Sequence, residues 1–594
     1  MINHPKSDSP TLAGHSKASS CRGAIRAAHG VVRDIGQEAA KSSRGLLELS
    51  RCSQKNSERD VERVSMQYKL QLPVPMRELQ KSPGVRYMGT FHVIALEDWM
   101  QFIVDHNLFH ILCGLNQPDH KRERAILREF WKLYRAANPN HQMWDMIDRH
   151  NIQLSRLAPM LLHGDEGRGR KKMPFLITSY HSMIGFGTTL ANEQRKQRLY
   201  LQLRLNYSGS SHTTRMISGC LPKMTKDEVA LKDLLSFTAG DCMRTFQTGV
   251  ANQEGERYHA ICFNAVGDWM WLAKAANLQR SFANVPKQAL VPTSVPKGIC
   301  HYCHAGQTNY DFEDLGFNPA WKRTMFLPGD QPWKSRPALL DLPHDPSKPA
   351  AFFSFDIWHA FHLGLGKVFV ASALACISDL FRGTNIDARF LELTDLYLQW
   401  CDENRTPAYI IGITKETCGW FDRKTYPNGQ WHKGHITTTL LRFLESWFSK
   451  NDVSQDAILS CCKDATLCVN RCFHRMYASD LWLERDLARS IGGDGMEFLC
   501  QFQRLAHESF NQGKALFPYL PKTHIVHHTM LECCDTVCTT LSPLAFGVQV
   551  DEDFIGKKSR LARRVAPTQV ILRVLQRSLQ VAYAYWHEAG FIKG

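Results

Sequence analysis

The chain has 594 residues, enough for two to four domains, and its hydrophobic fraction of 44% is that of a globular protein. Its formal net charge of +15 favours an anionic partner, nucleic acid first and an acidic membrane surface second, although an ordinary basic protein has the same balance. No stretch approaches the roughly 20 apolar residues of a membrane span, which argues against a membrane-embedded protein.

The start of the chain lacks the apolar core of a secretory signal. Nineteen cysteines without a regular framework are typical of a reducing compartment, so we expect free thiols, among which one metal site can be accommodated. The apolar run from Val368 to Leu380 is short and contains polar residues, and it is predicted to be a buried helix. We therefore expect no membrane partner and a cytosolic or nuclear protein.

Residues 1–85 are rich in Ser, Lys, Arg and Glu and poor in aromatic residues, which predicts a mostly disordered basic arm. A short helix is predicted within it, around Val61 to Leu70. Residues 86–155 form a predicted helical region, because apolar side chains recur at helical spacing. The basic face of its segment Arg122 to Ala137 either contacts DNA or, as is more common, faces solvent.

Residues 156–356 alternate between strand and helix patterns. The predicted elements are strands at Leu157 to His163, Pro174 to Met183 and Leu199 to Tyr207, a helix at Lys226 to Gly249, and strands at Tyr258 to Val266 and Ala351 to Phe355. Asp165 follows the first strand and Asp268 follows the fourth, each near a glycine turn. This order is typical of an α/β RNase H-like core with a mixed five-stranded sheet, in which those two strands are neighbours.

If Asp165 and Asp268 lie close together in the fold, they can act as ligands for catalytic metal ions. Phosphodiester cleavage by two divalent ions about 4 Å apart needs clustered hard oxygen ligands. The alternative is that Gly-Asp at a strand end is only a common turn. A basic run beside Asp165 is predicted to bind nucleic-acid phosphates, and it comprises Arg168, Arg170, Lys171 and Lys172.

Cys300 and Cys303 form a Cys-x-x-Cys pair that can hold two corners of a tetrahedral zinc site. His359 and His362 are the preferred remaining ligands, and His301 or His304 could replace one of them. A chance cysteine pair is the alternative. Covalent haem attachment fits the same letters but needs an exported or organellar location. Two further groups are interpreted as helix faces, one from Cys461 to His474 and one from His524 to Cys538.

The motif order resembles a class of eukaryotic transposase-derived proteins, similar to Plavaka, Zisupton and CACTA-type transposases with protist relatives. The resemblance covers about 159–567 and rests on four short motifs, which are Leu162-His163-Gly164-Asp165, Gly267-Asp268-Trp269, Cys300-x-x-Cys303 and Asp356-x-x-His359-x-x-His362. It implies a DDE-type strand-transfer core using Mg²⁺ or Mn²⁺, with Asp165 and Asp268 as the first two catalytic aspartates.

The third acid is expected after a large helical insertion. Glu552 is the preferred residue and Asp553 the next, although acidic residues also suit a helix N-terminus. Asp356 is a rival, since the strand before it would deliver it to the sheet edge; it could instead orient a zinc ligand.

The predicted divisions are the arm (1–85), the helical region (86–155), the first part of the core (156–356) with a zinc-type insertion around 296–325, a helical insertion (357–545) and closing helices (546–594). Helices are predicted around Leu391 to Trp400, Thr438 to Trp447 and Leu481 to Ile491, and one strand at Pro407 to Thr414.

Three functions remain open from the sequence. The first is a nuclear, metal-dependent DNA nuclease and strand transferase, as a homo-oligomer, since such insertions in related transposases support dimerisation. The second is a domesticated or inactive transposase-derived DNA-binding protein. The third is another RNase H-like nuclease, against which the large insertion counts.

Overall fold

The computed structural model describes residues 20–194, 203–223, 228–285 and 295–592. Before the main sheet lie α1 (Cys21–Ile35), α2 (Gln37–Ala40), α3 (Arg44–Ser50), α4 (Ser57–Gln67), β1 (Arg77–Glu78), β2 (His92–Val93), α5 (Leu96–Asp105), α6 (His120–Ala137) and α7 (Met143–His150). The sheet region contains β3 (Leu157–Arg168), β4 (Pro174–Ser182), α8 (Thr189–Gln194), α9 (Ser211–Thr214), β5 (Met216–Pro222), α10 (Glu228–Gln247), β6 (Val250–Ala251), β7 (Arg257–Val266), α11 (Trp269–Ala275) and β8 (Phe353–Ser354).

The rest of the described chain is mainly helical. It contains α12 (Ile357–Ala360), α13 (Gly366–Ser378), α14 (Ile386–Glu403), α15 (Lys415–Cys418), α16 (Gly434–Lys450), α17 (Ala457–Ala478), β9 (Trp482–Leu483), α18 (Arg485–Asn511), α19 (Pro521–Asp535), β10 (Thr540–Leu541), α20 (Gln549–Leu561) and α21 (Val570–Glu588). The predicted helices around Leu391 and Thr438 correspond to α14 and α16, and the one predicted from Leu481 begins at Arg485 in α18.

The main sheet is mixed, with strand order β5-β4-β3-β7-β6 and β8 paired with the end of β7. Strands β3, β4 and β5 are antiparallel neighbours, whereas β3 pairs with β7 in parallel and β7 pairs with β8 in parallel. A parallel neighbour requires a crossover connection, and α10 lies in the connection from β5 to β7. The protein is therefore a mixed α/β structure.

The main sheet is almost completely buried, and helices pack against it. Almost every residue of β4, β5 and β7 is buried, as is β3 from Leu157 to Gly164, so these strands lack the alternation of a half-exposed sheet. Helices α5 and α10 pack against β7, α20 packs against β3 and β4, and α21 packs against β5. This arrangement places α20 next to the strand that carries Asp165.

The third strand of the sheet is not the predicted one. The prediction at Leu199 to Tyr207 falls partly on residues outside the described ones, and residues 203–207 lie beside Gly185 and Gly187 without forming a strand. The edge of β4 is instead occupied by β5, which pairs with it from Phe175 to Tyr180. The alternating leucines reflect burial of Leu203 and Leu205 rather than a place in the ladder.

The disordered-arm prediction is wrong from Ser20 onward. Helices α1 to α4 enclose a small apolar cluster of their own, which includes Ile25, Val32, Leu49 and Val64. Its residues recur every three to four positions, a pattern that an overall count of Ser and Arg conceals. The helix predicted around Val61 is α4.

The predicted strand at Pro407 to Thr414 is an irregular loop between α14 and α15. The Thr394 hydroxyl accepts a hydrogen bond from the Ile413 N–H and lies 3.0 Å from the Ile413 carbonyl, so one side chain meets both backbone groups that a partner strand would use.

One helical run, Ile357–Ser378, is long and apolar enough to cross a membrane by composition alone. The fold buries 83% of its most apolar window, which agrees with the prediction of a buried helix over this part of the chain.

Candidate functional site

The two Gly-Asp pairs lie side by side on adjacent parallel strands. His163 of β3 is the register partner of Val266 of β7, so Asp165 and Asp268 each follow two residues later. Asp268 comes just after β7, whereas Asp165 lies within β3, which continues to Arg168 where a turn was predicted. The Trp271 ring packs against both glycines: a Cβ at Gly164 would lie 2.4 Å from it, and one at Gly267, where φ is 157°, would lie 2.3 Å from it. Glycine is needed at both positions for this close approach.

Each aspartate also satisfies local backbone. Asp165 Oδ1 accepts a hydrogen bond of 2.6 Å from the Glu166 N–H, and Asp268 Oδ1 caps α11 by accepting one of 2.6 Å from the Trp271 N–H. The capping role of a Gly-Asp pair is thus present at Asp268, whereas Asp165 lies within a strand.

Glu552 of α20 reaches the same place. Burial raises the pKa of Asp165 to about 7, and a hydrogen bond with Glu552 adds to the effect. Burial and the nearby Asp165 raise the pKa of Asp268 as well. Burial is the main cause in both aspartates, and the neighbouring carboxylate adds to it. The pKa of Glu552 is lowered instead, because hydrogen bonds with His359 and Asp165 outweigh its burial.

The other two candidates for the third acid point elsewhere. The Asp553 side chain is 53% exposed and pairs with Lys557 at 2.5 Å and with the Ser211 hydroxyl at 2.9 Å. Asp356 is delivered by β8 to the sheet end, as predicted, but its carboxylate caps α12 and lies 2.5 Å from His359 Nδ1. Of these three acids, only Glu552 is among the groups that raise the pKa of Asp165.

His359 connects Asp356 to Glu552. Its Nε2 atom lies 3.2 Å from Glu552 Oε1, while Nδ1 faces Asp356. Burial alone would lower the pKa of His359, but hydrogen bonds to Asp356 and Glu552 raise it to about 10. The protonated imidazole therefore holds the Glu552 carboxylate in place.

Lys522 of α19 lies against this group, and its Nζ donates to the carbonyls of His359 and Leu363 at 3.1 and 3.3 Å. Burial lowers its pKa, although Asp268, Asp356 and Glu552 all favour its charged form. Lys522 was not predicted for this site, because the carbonyls that it binds lie 163 and 159 positions away along the chain.

A buried ion pair anchors α20 one residue before Glu552. Arg215 Nη2 lies 3.1 Å from Asp551 Oδ2, and His181 Nδ1 lies 3.1 Å from Asp551 Oδ1. Although burial opposes ionisation, Arg215 and His181 hold the pKa of Asp551 well below its usual range. This pair fixes which face of α20 meets the sheet, so Glu552 is turned toward Asp165.

A second cluster comprises Cys300, Cys303, His524 and His528, all buried, with ligand atoms within 4.8 Å of one another. Cys303 Sγ lies 3.3 Å from Nε2 of both histidines, and Cys300 Sγ lies 3.6 Å from Nε2 of His528. Tetrahedral zinc with ordinary Zn–S and Zn–N bonds separates sulfur from nitrogen by about 3.6 Å. This group can hold a metal ion such as zinc.

The histidines predicted for this site were wrong. His359 belongs to the acidic group, and His362 packs against Phe473 with Nδ1 3.4 Å from the Thr438 hydroxyl. His301 Nε2 faces the Phe353 carbonyl at 2.8 Å, and His304 lies 3.6 Å from Asp330. The ligands come instead from α19, where positions 524 and 528 share one helix face. The spacing of four residues between these two histidines was the available sequence signal for the ligands. The interpretation of His524 to Cys538 as an ordinary helix face overlooked it.

No known protein family matches the chain in a scan of family models, and a search of curated proteins finds no similar sequence. The site must therefore be interpreted from its own geometry. The described residues contain one His, Cys and carboxylate group tight enough for a single ion, which is the Cys-His cluster. The acidic group is wider, and His359 occupies one side of it.

The predicted basic run lies at the surface beyond the acidic group. Arg168 ends β3, and Arg170, Lys171 and Lys172 form the turn into β4, all of them exposed. They are three to seven residues from Asp165 along the chain.

Proposed function

We propose that the protein is a metal-dependent nuclease and strand transferase of the DDE transposase type, acting on DNA through Asp165, Asp268 and Glu552. The observation that carries this proposal is the register of β3 and β7, which sets the two aspartates side by side, with Glu552 close enough to raise the pKa of the first.

An RNase H-like core is the fold that this proposal requires. The order β5-β4-β3-β7-β8, with three antiparallel strands followed by two parallel ones, supports it. So does the position of the acids at the carboxyl ends of the central strands and on the late helix α20. The similarity of the motif order to Plavaka, Zisupton and CACTA-type transposases supports a transposase origin and, with it, a nuclear location and a homo-oligomeric state.

The residues present suit Mg²⁺ or Mn²⁺. Three partly buried carboxylates supply hard oxygen ligands. Burial raises the pKa of Asp165 to about 7, and the nearby Glu552 adds to the effect. Divalent ions held there would supply activation of the attacking oxygen and neutralisation of the leaving one. The chain itself orients the third acid through Asp356 and His359 and lines the site with Lys522.

The test is cleavage of labelled duplex DNA by the purified full chain with Mg²⁺ or Mn²⁺. Cleavage should require the metal and should fall by at least about a hundredfold in Asp165→Asn and in Glu552→Gln. Asp553→Asn is the matched control on the same helix and should stay within about threefold of wild type. Cleavage that survives Asp165→Asn would refute the assignment.

Other outcomes separate the alternatives. Wild-type protein that binds DNA but never cuts it would favour the domesticated DNA-binding protein. Cleavage confined to RNA would favour the RNase H-like nuclease.

For the Cys300, Cys303, His524 and His528 group we propose structural Zn²⁺. Burial opposes ionisation of Cys300, but its neighbours Cys303 and His528 hold the pKa of that thiol well below its usual range. Two cysteines and two histidines with no position left open are typical of a structural site.

A further inference from the structure

Two basic segments that are distant in sequence meet at one end of the protein. Gly167 of β3 lies so close to α20 that a Cβ there would be 2.3 Å from the Ser559 hydroxyl. Just beyond this contact, Arg563 Nε donates to the Arg168 carbonyl at 3.3 Å. We call the combined surface the basic ridge, and it comprises Arg168, Arg170, Lys171, Lys172, Arg560, Arg563 and Arg564.

The charges of the basic ridge are not neutralised within the described part of the chain. All seven side chains are exposed, and none has a carboxylate within 4.0 Å among the described residues. The flanking sequence adds no acid: residues 167–192 and 554–587 contain neither Asp nor Glu. A patch of seven cations without acidic neighbours attracts polyanions.

The basic ridge also lies at a defined distance from the acidic group along both elements. From Asp165 to Arg168 is three residues of strand, about 10 Å. From Glu552 to Arg560 is eight residues of helix, about 12 Å. Since phosphates along one DNA strand advance about 3.4 Å per nucleotide, the ridge lies roughly three to four nucleotides from the acids.

We propose that the basic ridge binds the phosphate backbone of duplex DNA beside the cleavage position. Arg560, Arg563 and Arg564 contribute as much to this binding as the basic residues of segment 168–172. This inference rests on the proposed function for the identity of the polyanion. Because the contacts are to phosphates, they position the duplex and carry no base specificity.

Binding is tested without divalent cation, in EDTA, by fluorescence anisotropy of a labelled 30-base-pair duplex at several salt concentrations. One variant combines Arg560→Gln, Arg563→Gln and Arg564→Gln, and a second combines Arg168→Gln, Arg170→Gln and Lys172→Gln. The control removes three exposed cations from the helical insertion by Arg442→Gln, Arg504→Gln and Lys514→Gln. Thermal melting checks that each variant is folded.

Each ridge variant should weaken binding at least about tenfold near 0.1 M salt and reduce the slope of log K against log salt by about 2 to 3. The control should keep the wild-type slope. If the ridge variants keep the wild-type DNA affinity and salt slope, the proposed role of the basic ridge in DNA binding is refuted, whatever the result of the cleavage assay. The same holds if the wild type binds anionic lipid vesicles but no duplex.

The two proposals can fail separately. A wild-type chain that binds DNA through the ridge but never cleaves it with Mg²⁺ or Mn²⁺ would refute the nuclease and leave the ridge intact. Competition by unlabelled RNA duplex as effective as DNA would keep the phosphate-binding ridge but reassign its ligand.

Discussion

Lys558 carries a buried ammonium group with little to compensate it. Its Nζ has the Ser578 carbonyl at 3.3 Å and lies over the Phe554 ring at 5.0 Å, while no described carboxylate pairs with it. Burial lowers its pKa from 10.5 to about 7. Between pH values of about 7 and 10.5, folding therefore releases a proton from Lys558. Below about pH 7 the ammonium group stays charged when it is buried, and this lowers the free energy of unfolding.

Lys558→Met should raise the free energy of unfolding by about 1 to 2 kcal/mol at pH 7 and below. In the wild type the Lys558 contribution is least favourable below pH 7, where both states are protonated, and improves as pH rises toward 10.5. The advantage of the variant should therefore shrink between pH 7 and 9. Urea unfolding at pH 6, 7, 8 and 9 measures it, and an advantage that grew with pH would contradict the buried charge.

At the residue scale, the glycines before Asp165 and Asp268 drew attention to both aspartates, although the turn predicted at Gly164 is part of β3. The sequence ranked Glu552 before Asp553, with Asp356 as a rival, but gave no geometric ground for the order, since successive helical residues point about 100° apart. Which one faces Asp165 depends on the contact between Asp551 and Arg215, whose partners are over 300 positions apart. His359 was assigned to zinc because linear spacing does not reveal Glu552 beside it.

The buried ion pair between Arg215 and Asp551 holds helix α20 in its packed position on the sheet. Asp551→Asn should lower the free energy of unfolding by about 3 to 5 kcal/mol, because it leaves the Arg215 charge buried without a partner. The double variant Arg215→Met with Asp551→Leu should recover part of that loss. Denaturant unfolding of the wild type, Asp551→Asn and the double variant tests this, and a double variant no more stable than Asp551→Asn would contradict it.

Helix α19 joins the Cys-x-x-Cys segment to the acidic group, since it carries His524 and His528 on one face and Lys522 at its start. His528→Ala should reduce bound zinc from about one ion per chain to a small fraction and lower the thermal midpoint.

His527→Ala is the matched control for this zinc prediction, because His527 Nε2 faces the Gly316 carbonyl at 2.9 Å and not the cluster. It should keep its zinc. Elemental analysis of both proteins decides the point, and full zinc in the His528 variant would refute this ligand set.

Among elements, β3, β4, α10 and β7 were predicted because each has a strong, uninterrupted pattern. The third strand was misplaced because buried alternation at residues 203 and 205 resembles a half-exposed strand. The loop around Ile413 resembled a strand for a similar reason. In both cases, contacts with distant residues decide whether the backbone joins a ladder.

On the scale of the whole molecule, the buried apolar side chains of the described residues form two separate clusters. The large one runs from Leu72 to Trp586 and includes the sheet and the helical insertion, whereas the small one contains only residues from Cys21 to Val64. Few polar contacts join them, among them the hydrogen bond from Gln580 Nε2 to Glu62 Oε2 at 2.6 Å.

A chain that begins at Leu70 should therefore fold, with a thermal midpoint within a few degrees of wild type. The two apolar clusters share no member, so loss of the small one removes only a few polar contacts to α21 and leaves the larger core in place. Calorimetry measures the midpoint, with Asp165→Asn of the full chain as a folded reference. Failure of the shortened chain to fold would show that the helices α1 to α4 are an integral part of the core.

The acids and the proposed zinc ligands both come from widely separated parts of the chain. Asp165 leaves the ribosome roughly 400 residues before Glu552, which at about 5 to 20 residues per second is roughly 20 to 80 seconds. During that interval the nascent protein has its first two acids and a pair of cysteines without their histidines. A messenger truncated anywhere between the codons for residues 357 and 545 would yield a product that lacks Glu552, so its acidic group would be incomplete.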